Sequence, residues 1–370
     1  MRLAAFADEL DLCARCHEQC LSSSTVVLAT GRHTLAPSRK ALLADLLRRG
    51  DLAPTGELAE VFELGIGSGV EHEHCLYADR PAWPDETRFS RAARADLVDL
   101  GFPSTAAAEA AKRIDATGDP FGLGADPGAL IIAGTTLFFT DAATRALAAD
   151  VGVALRQLVL ELEPLASPLP STVDPAELPS SAGFEALELG LEAHARRLAG
   201  ALIDRARELG ATRIVSESPE ALVALRELGA GDISLVHASE WLVGALPAAS
   251  PGAVPGDAVR IAVLHDSARL GRYLGVFDAP RRVLDGIARV ERRELRRSRA
   301  RATPSGPTFG FPDAEAARAM AGRLLDEAVA AGAELIVTTS PYDRRNLAAV
   351  ASRAGIDVRD LLEIVVEARP

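Results

Sequence analysis

Apolar residues recur at helical spacing over Glu185–Leu209 and again over Ala314–Ala331, and a glycine follows each run, Gly210 and Gly332. That period predicts two long amphipathic helices with glycine stops. The apolar run Ala129–Gly134 reads as a buried strand, and Thr140–Leu162 as a helix running into a second strand. Short β-branched runs at Thr212–Ser216, Val259–Leu264 and Leu335–Thr339 read as further strands, and Pro280–Arg289 as another helix. Strands alternating with helices predict α/β units with parallel pairing. Proline-, glycine- and alanine-rich stretches at Glu163–Ser180 and Pro247–Asp257 read as loops or linkers, and the turn residues Gly118–Gly128 close an N-terminal segment.

A repeat underlies this pattern. Ala195–Leu225 aligns without gaps on Ala317–Leu347, with about 14 of 31 positions identical. Alanine bias supplies some matches. It does not place Gly210 with Gly332, Ile214-Val215 with Ile336-Val337 and Ser218-Pro219 with Ser340-Pro341 in one register. Self-similarity of this length predicts a duplicated structural unit.

Composition narrows the function classes. The chain has 370 residues, too many for one ordinary core, and its 48% hydrophobic and 25% charged content is that of a globular protein. Aromatic residues make up only 4%, so small-residue helix packing is expected. A formal net charge of -12 argues against a general nucleic-acid role. The most apolar stretch, Ala129–Phe139, is too short to span a bilayer. The N-terminus turns acidic before a secretory core could form, so a cytoplasmic location is expected.

All four cysteines fall within the first 75 residues. Such clustering in a large chain points to metal binding or redox work, not to a disulfide scaffold. Cys13, Cys16 and Cys20 read C-x2-C-x3-C, which is three of the four ligand positions of a bacterial ferredoxin run. That spacing sets the missing first ligand at Leu10, with Leu21 in place of the usual proline. A second run would end at Cys75, with its earlier ligand positions occupied by Gly65, Ser68 and Glu71. In a two-cluster ferredoxin the fourth cysteine of each run serves the other cluster. One site then draws on Cys13, Cys16 and Cys75, and the other keeps only Cys20. At most one cluster is expected, with an open iron, a three-iron form, or a substitute ligand such as Cys20, Asp8 or Asp11. His17, His72 and His74 lie in the same segment, and thiolate with imidazole also suits zinc. Three readings stand: one iron–sulfur cluster (4Fe-4S or 3Fe-4S), a zinc site, or a relic loop without metal.

Taken together, the two halves resemble the iron–sulfur oxidoreductases with tandem cysteine-rich CCG domains. That family includes the B- and D-type subunits of heterodisulfide reductase, the glycolate oxidase iron–sulfur subunit and lactate-utilisation proteins. Ile132-Ala-Gly-Thr-Thr136 stands where the family has a strand ending Gly-Cys-Thr. Ser181-Ala182-Gly183 stands for the first Cys-Cys-Gly, and Ser218-Pro219-Glu220-Ala221 for Cys-Pro-x-Cys. His265 to Arg272 is similar to His-Asp-Pro-Cys-x-Leu-Gly-Arg; Ala302–Gly310 occupies the second Cys-Cys-Gly region, and Ser340-Pro341-Tyr342-Asp343 the second Cys-Pro-x-Cys. Every thiolate position in these two units carries Thr, Ser, Ala or Asp. The resemblance therefore implies the family's framework without its CCG-domain clusters, so cluster-based heterodisulfide reduction does not carry over.

What the resemblance implies is an α/β protein: a degenerate, helical, ferredoxin-derived domain over residues 1–125, then CCG-like α/β repeats over 126–246 and 257–370. The expected function is that of an iron–sulfur electron-transfer subunit of an oxidoreductase complex, docked to a flavin- or dehydrogenase-type partner. A non-catalytic scaffold or regulatory subunit, or a zinc-stabilised binding protein, are the alternatives. Whether the chain is itself an enzyme stays open. His265, Asp266, Arg269 and Arg272 form the densest polar group at a predicted strand end, either an anion pocket or a turn device. His237 reads as a strand-end histidine, and the arginines from Arg292 to Arg301 as a solvated face or a dock for an acidic protein. No Rossmann or P-loop spacing is present, since Gly65-x-Gly67-x-Gly69 fits a decayed cluster loop better.

Overall fold

The computed structural model describes residues 1–65, 67–75, 77, 86–163, 179–246 and 259–369. Most of the two predicted linkers, residues 164–178 and 247–258, lie outside the described residues.

The chain begins as a helical assembly. Helices α1 (Ala7–Ala14), α2 (Thr25–Thr30), α3 (Pro37–Arg49), α4 (Gly56–Glu63), α5 (Glu86–Asp99) and α6 (Thr105–Thr117) succeed one another. The Thr55 hydroxyl caps α4 and the Ser104 hydroxyl caps α6, each accepting a backbone N–H three residues on. Leu3, Leu10, Leu47, Phe62, Phe89 and Leu97 form the core that draws α1, α3, α4 and α5 together. Six fully or nearly fully buried side chains of this size stabilise the bundle by on the order of 10 kcal/mol before conformational entropy is counted.

An α/β region follows, as the alternating pattern predicts. Strands β1 (Leu130–Ala133), β2 (Thr136–Phe139), β3 (Arg213–Ser216) and β4 (Ser234–His237) form one sheet in that order. The pair β1–β2 is antiparallel, while β2–β3 and β3–β4 are parallel. Strands β5 (Arg260–Leu264), β6 (Val290–Arg293), β7 (Leu335–Thr338) and β8 (Asp357–Asp360) form a second, wholly parallel sheet of order β6-β5-β7-β8. Helices α7 (Ala142–Leu147), α8 (Ala149–Leu162), α9 (Phe184–Glu188), α10 (Glu192–Glu208), α11 (Pro219–Leu228) and α12 (Ala238–Ala245) accompany the first sheet. Helices α13 (Asp278–Asp285), α14 (Ala314–Ala330), α15 (Pro341–Ala351) and α16 (Leu361–Glu367) accompany the second.

One core joins the two sheets. Phe138 and Val215 of the first and Ala262 and Val337 of the second share it with Leu158 of α8, Leu242 of α12, Leu284 of α13 and Leu362 of α16. The outer face of the first sheet packs on α10 and α11, and that of the second on α14 and α15. In the register of the sequence repeat, α10 coincides with α14, each 17 residues long, and β3 coincides with β7, each four.

The predicted helix over Glu185–Leu209 is two helices, α9 and α10, broken at Gly190 (φ +80°). The break has a tertiary cause: a Cβ at Gly190 would stand 2.5 Å from the backbone nitrogen of Ala95 in α5. The glycine lets two backbones touch, and the touch fixes the turn. The strand read at Ala129–Gly134 is β1, which turns at Gly134 (φ +57°) into β2, while the strand expected at the end of Thr140–Leu162 is instead the helix α8.

Candidate functional site

Cys13 lies in the last turn of α1, and Cys16, Cys20 and Cys75 lie on or beside short turns of the helical assembly. Cys13 ends α1, and Cys16 follows in a turn whose amide donates to the Cys13 carbonyl at 3.2 Å. Glu18 then adopts a left-handed conformation (φ 59°), a strained choice for a residue with a side chain, and Cys20 sits in the turn Gln19–Ser22 behind it. Cys75 follows the turn His72–His74, and the Tyr77 amide donates to its Sγ at 3.4 Å.

All four thiols are partly buried and free. Burial pushes the Cys13 thiol well above its usual range, and nearby Cys20, Cys16 and Cys75 add to the shift. Cys20 is pushed up to about 12, by burial first and then by Glu71, Cys75 and Cys16. Cys16 and Cys75 thus lie near enough to act on both Cys13 and Cys20. Left as free side chains, Cys13 and Cys20 are protonated at neutral pH. Among the described residues, no three His, Cys, Asp or Glu side chains converge tightly enough to grip a single metal ion.

The positions flanking this group are occupied in other ways. Leu10 is fully buried in the helical core. Gly65 lies against the buried ion pair of Lys40 Nζ and Glu86 Oε1, 2.9 Å apart. The Ser68 hydroxyl reaches Glu71, whose carboxyl is raised by burial first and then by Glu86. His17 is exposed, His74 Nδ1 contacts the Val70 carbonyl at 3.1 Å, and His72 faces a neighbouring cleft with Nδ1 buried and without a hydrogen bond.

A second polar group fills the interior where the two α/β units meet. Ser218 caps α11 by accepting the Ala221 amide at 3.2 Å. Glu220 receives the hydroxyls of Ser218 at 3.3 Å and Ser340 at 2.7 Å. Tyr342 donates to Glu185 Oε1 at 2.7 Å. Burial pushes the Glu220 carboxyl up to about 7, with nearby Asp343 adding to it. Glu188 behaves oppositely. Despite burial it is held down at about 2 by Arg91, Arg269 and Arg94.

The strand-end group falls into this interior. His265 is buried, its Nε2 3.3 Å from Asp343 Oδ1. Asp266 is held bidentately by Arg281 at 2.7 and 2.8 Å and also accepts the Arg299 amide. Arg269, only 2% exposed, lies 3.5 Å from Glu188 and over the rings of Phe184 and Tyr273. Arg272 donates to the carbonyls of Ser68, Ala300 and Ala302. Ser68, Glu220, Ser267, Arg269, Ser305 and Asp343 bound a cavity of about 20 Å³, room for a single water molecule. His237 caps α12 and is held neutral by burial, its pKa lowered to about 4.

The buried acids Glu185, Glu188, Glu217 and Glu220 escape pattern reading because each belongs to a helix or turn whose neighbours are also buried. Their signal is a charge inside an apolar run, as in Ser218-Pro219-Glu220-Ala221. Of the basic run, Arg292 pairs with Asp285 and Glu294, Arg293 with Glu291 and Arg299 with Asp278. Arg292 and Arg293 lie on the sheet-edge strand β6, where charge opposes edge-to-edge pairing.

Set beside known proteins, no family model matches the chain. Over 110 residues the chain is 36% identical to the D-type subunit of dihydromethanophenazine:CoB–CoM heterodisulfide reductase from Methanosarcina barkeri and from Methanosarcina mazei. The corresponding protein of Methanosarcina acetivorans is 32% identical over 110 residues. The match takes in 28% of this chain and spans only 26% of the relatives' length. Part of the chain is thus related to that reductase component. No helix among the described residues is long and apolar enough to cross a membrane.

Proposed function

We propose that the chain is an electron-transfer subunit of an oxidoreductase complex, holding one iron–sulfur cluster at Cys13, Cys16, Cys20 and Cys75. The observation that carries this reading is the approach of the chain's four thiols from two separate segments: burial raises Cys13 and Cys20, and Cys16 and Cys75 add to both shifts. The donor set fits. Four thiolates, one to each iron, are what a four-iron cluster takes. The Tyr77 amide on Cys75 Sγ supplies a hydrogen bond of the kind that stabilises a bound thiolate. When bound, the cluster supplies one-electron transfer. The protein's own part is to hold the thiols, bury them and limit water. Cys20 takes the place that Leu10 vacates, which turns two incomplete ferredoxin runs into one complete site.

The α/β units are the two halves of a duplication, over residues 126–246 and 257–370, after a ferredoxin-derived segment at 1–125. The coincidence of α10 with α14 and of β3 with β7 supports this. On this reading their shared interior, with Thr, Ser, Ala or Asp at the thiolate positions of the CCG family, takes no cluster, and the family's substrate chemistry on such a cluster does not carry over. The relatives are named as a subunit of a reductase, which supports a protein partner of oxidoreductase type. The stripped interior also favours a second reading, a scaffold subunit without redox work.

Visible spectroscopy on protein prepared without oxygen separates the two. An electron carrier shows a broad brown absorption that bleaches with dithionite and is lost in Cys16→Ser. A colourless protein that folds normally and takes up no iron and sulfide overturns the first reading in favour of the scaffold.

A further inference from the structure

A cleft of about 800 Å³ opens where the helical assembly meets α9, α10, α11 and the turn Arg269–Tyr273. Its size is that of a small-molecule site. In a chain of net charge -12, its described lining carries six arginines against three glutamates. Carboxylates behind the wall offset two of these arginines, so the charge open to an anion is that of the exposed ones.

The arginines divide by how they are held. Arg2 is bound by Asp96, Asp99 and Glu192, and Arg91 by Glu188 and Glu227, so these two are fixed in place and largely neutralised. Arg196 of α10 and Arg226 of α11 are exposed and make no ion pair with any described residue. Arg272 is different again. Its three hydrogen bonds all go to neutral carbonyls, and its Nη2 is buried without a partner. Glu71 and Glu73 stand near enough to act on its charge, so Arg272 is a fixed, partly compensated cation in the cleft wall. The wall beside these cations is apolar, formed by Phe6, Ala92, Leu187 and Leu228.

We infer that this cleft binds a nucleotide-type organic phosphate, its diphosphate on the exposed Arg196 and Arg226 and its apolar portion on the Phe6–Leu228 wall. Guanidinium forks match phosphate oxygens two at a time, and the set contains no lysine. The cleft is separate from the cysteines, although His72 and Glu73 of its rim belong to the turn that leads into Cys75. The inference does not depend on whether those cysteines hold a cluster.

Isothermal titration of the full chain with ADP and with inorganic pyrophosphate tests it. ADP is expected to bind one per chain, with pyrophosphate weaker because it leaves the apolar wall unused. Arg196→Glu with Arg226→Glu, both exposed positions, is expected to weaken ADP by about tenfold or more while the melting temperature stays near that of the parent. No saturable binding of ADP up to about 5 mM overturns the inference, as does binding that the double variant leaves unchanged. Pyrophosphate binding as tightly as ADP overturns the assignment of an organic ligand.

Discussion

Ser340 donates its hydroxyl to Oε1 of Glu220 at 2.7 Å, across the junction of the two α/β units. Ser218, which stands in the same register one repeat earlier, donates to Oε2 of the same carboxylate at 3.3 Å. One side chain thus joins two equivalent serines. Both serines open the Ser-Pro turn of their repeat, so the interior is closed there by hydrogen bonds to one carboxylate.

Removal of one donor exposes how much that junction contributes. Ser340→Ala leaves a buried Glu220 oxygen without its closest partner, and is expected to lower stability by about 1–3 kcal/mol in urea unfolding. An unchanged urea midpoint would mean that the contact is dispensable.

The buried acids set a pH dependence with a definite sign. Burial raises Glu63, Glu217 and Glu220 to about 7 and Asp360 to about 8. In the unfolded chain these groups ionise near their usual values, so the folded state holds more protons between roughly pH 4 and pH 8. Stability then falls as pH rises through that window. His237, lowered to about 4, works in the opposite direction, but only below the ordinary histidine range near 6.5. Between pH 6.5 and pH 8 the acids act alone. The melting temperature is therefore expected to drop from about pH 6.5 to about pH 8, and Glu217→Gln to shallow that slope by on the order of 1 kcal/mol. Calorimetric scans across this range check both; a melting temperature that rises toward pH 8 would contradict them.

Two glycines separate a backbone requirement from a mere gap. At Gly190 a methyl group would strike the Ala95 and Arg94 backbone at a positive φ, so Gly190→Ala is expected to cost roughly 3 kcal/mol. At Gly200, inside α10, nothing lies within 4 Å of the added carbon, and Gly200→Ala is expected to stabilise by about 0.5–1 kcal/mol. Denaturant unfolding of the two variants gives the comparison, and equal effects would remove the proposed contact between α9–α10 and α5.

Much of this was legible in the sequence, and the gaps have physical causes. Apolar period and glycine stops placed α10, α14, β3, β5 and β7, because those elements are buried in the ordinary patterns. The strands β6 and β8 were missed because each lies at a sheet edge and reads Val-Glu-Arg-Arg or Asp-Val-Arg-Asp, charged where solvent reaches it. The break at Gly190 depends on a helix nearly a hundred residues earlier, which no local pattern encodes. At the candidate site, spacing singled out Cys13, Cys16, Cys20 and Cys75 as candidates, but not that Cys16 and Cys75 lie near both Cys13 and Cys20. That proximity comes from the strained turn at Glu18 and from the way residues 67–69 dock on Arg272 and Tyr273. The carboxylates of the α/β interior were hidden because their partners come from the other unit.

The central claim, one cluster on four cysteines and none in the α/β units, is most directly tested by iron and acid-labile sulfide analysis of untagged protein purified without oxygen. The account predicts about four irons and about four sulfides per chain, both lost in Cys16→Ser. A folded chain with neither iron nor sulfide, or one with twice that content, would contradict it.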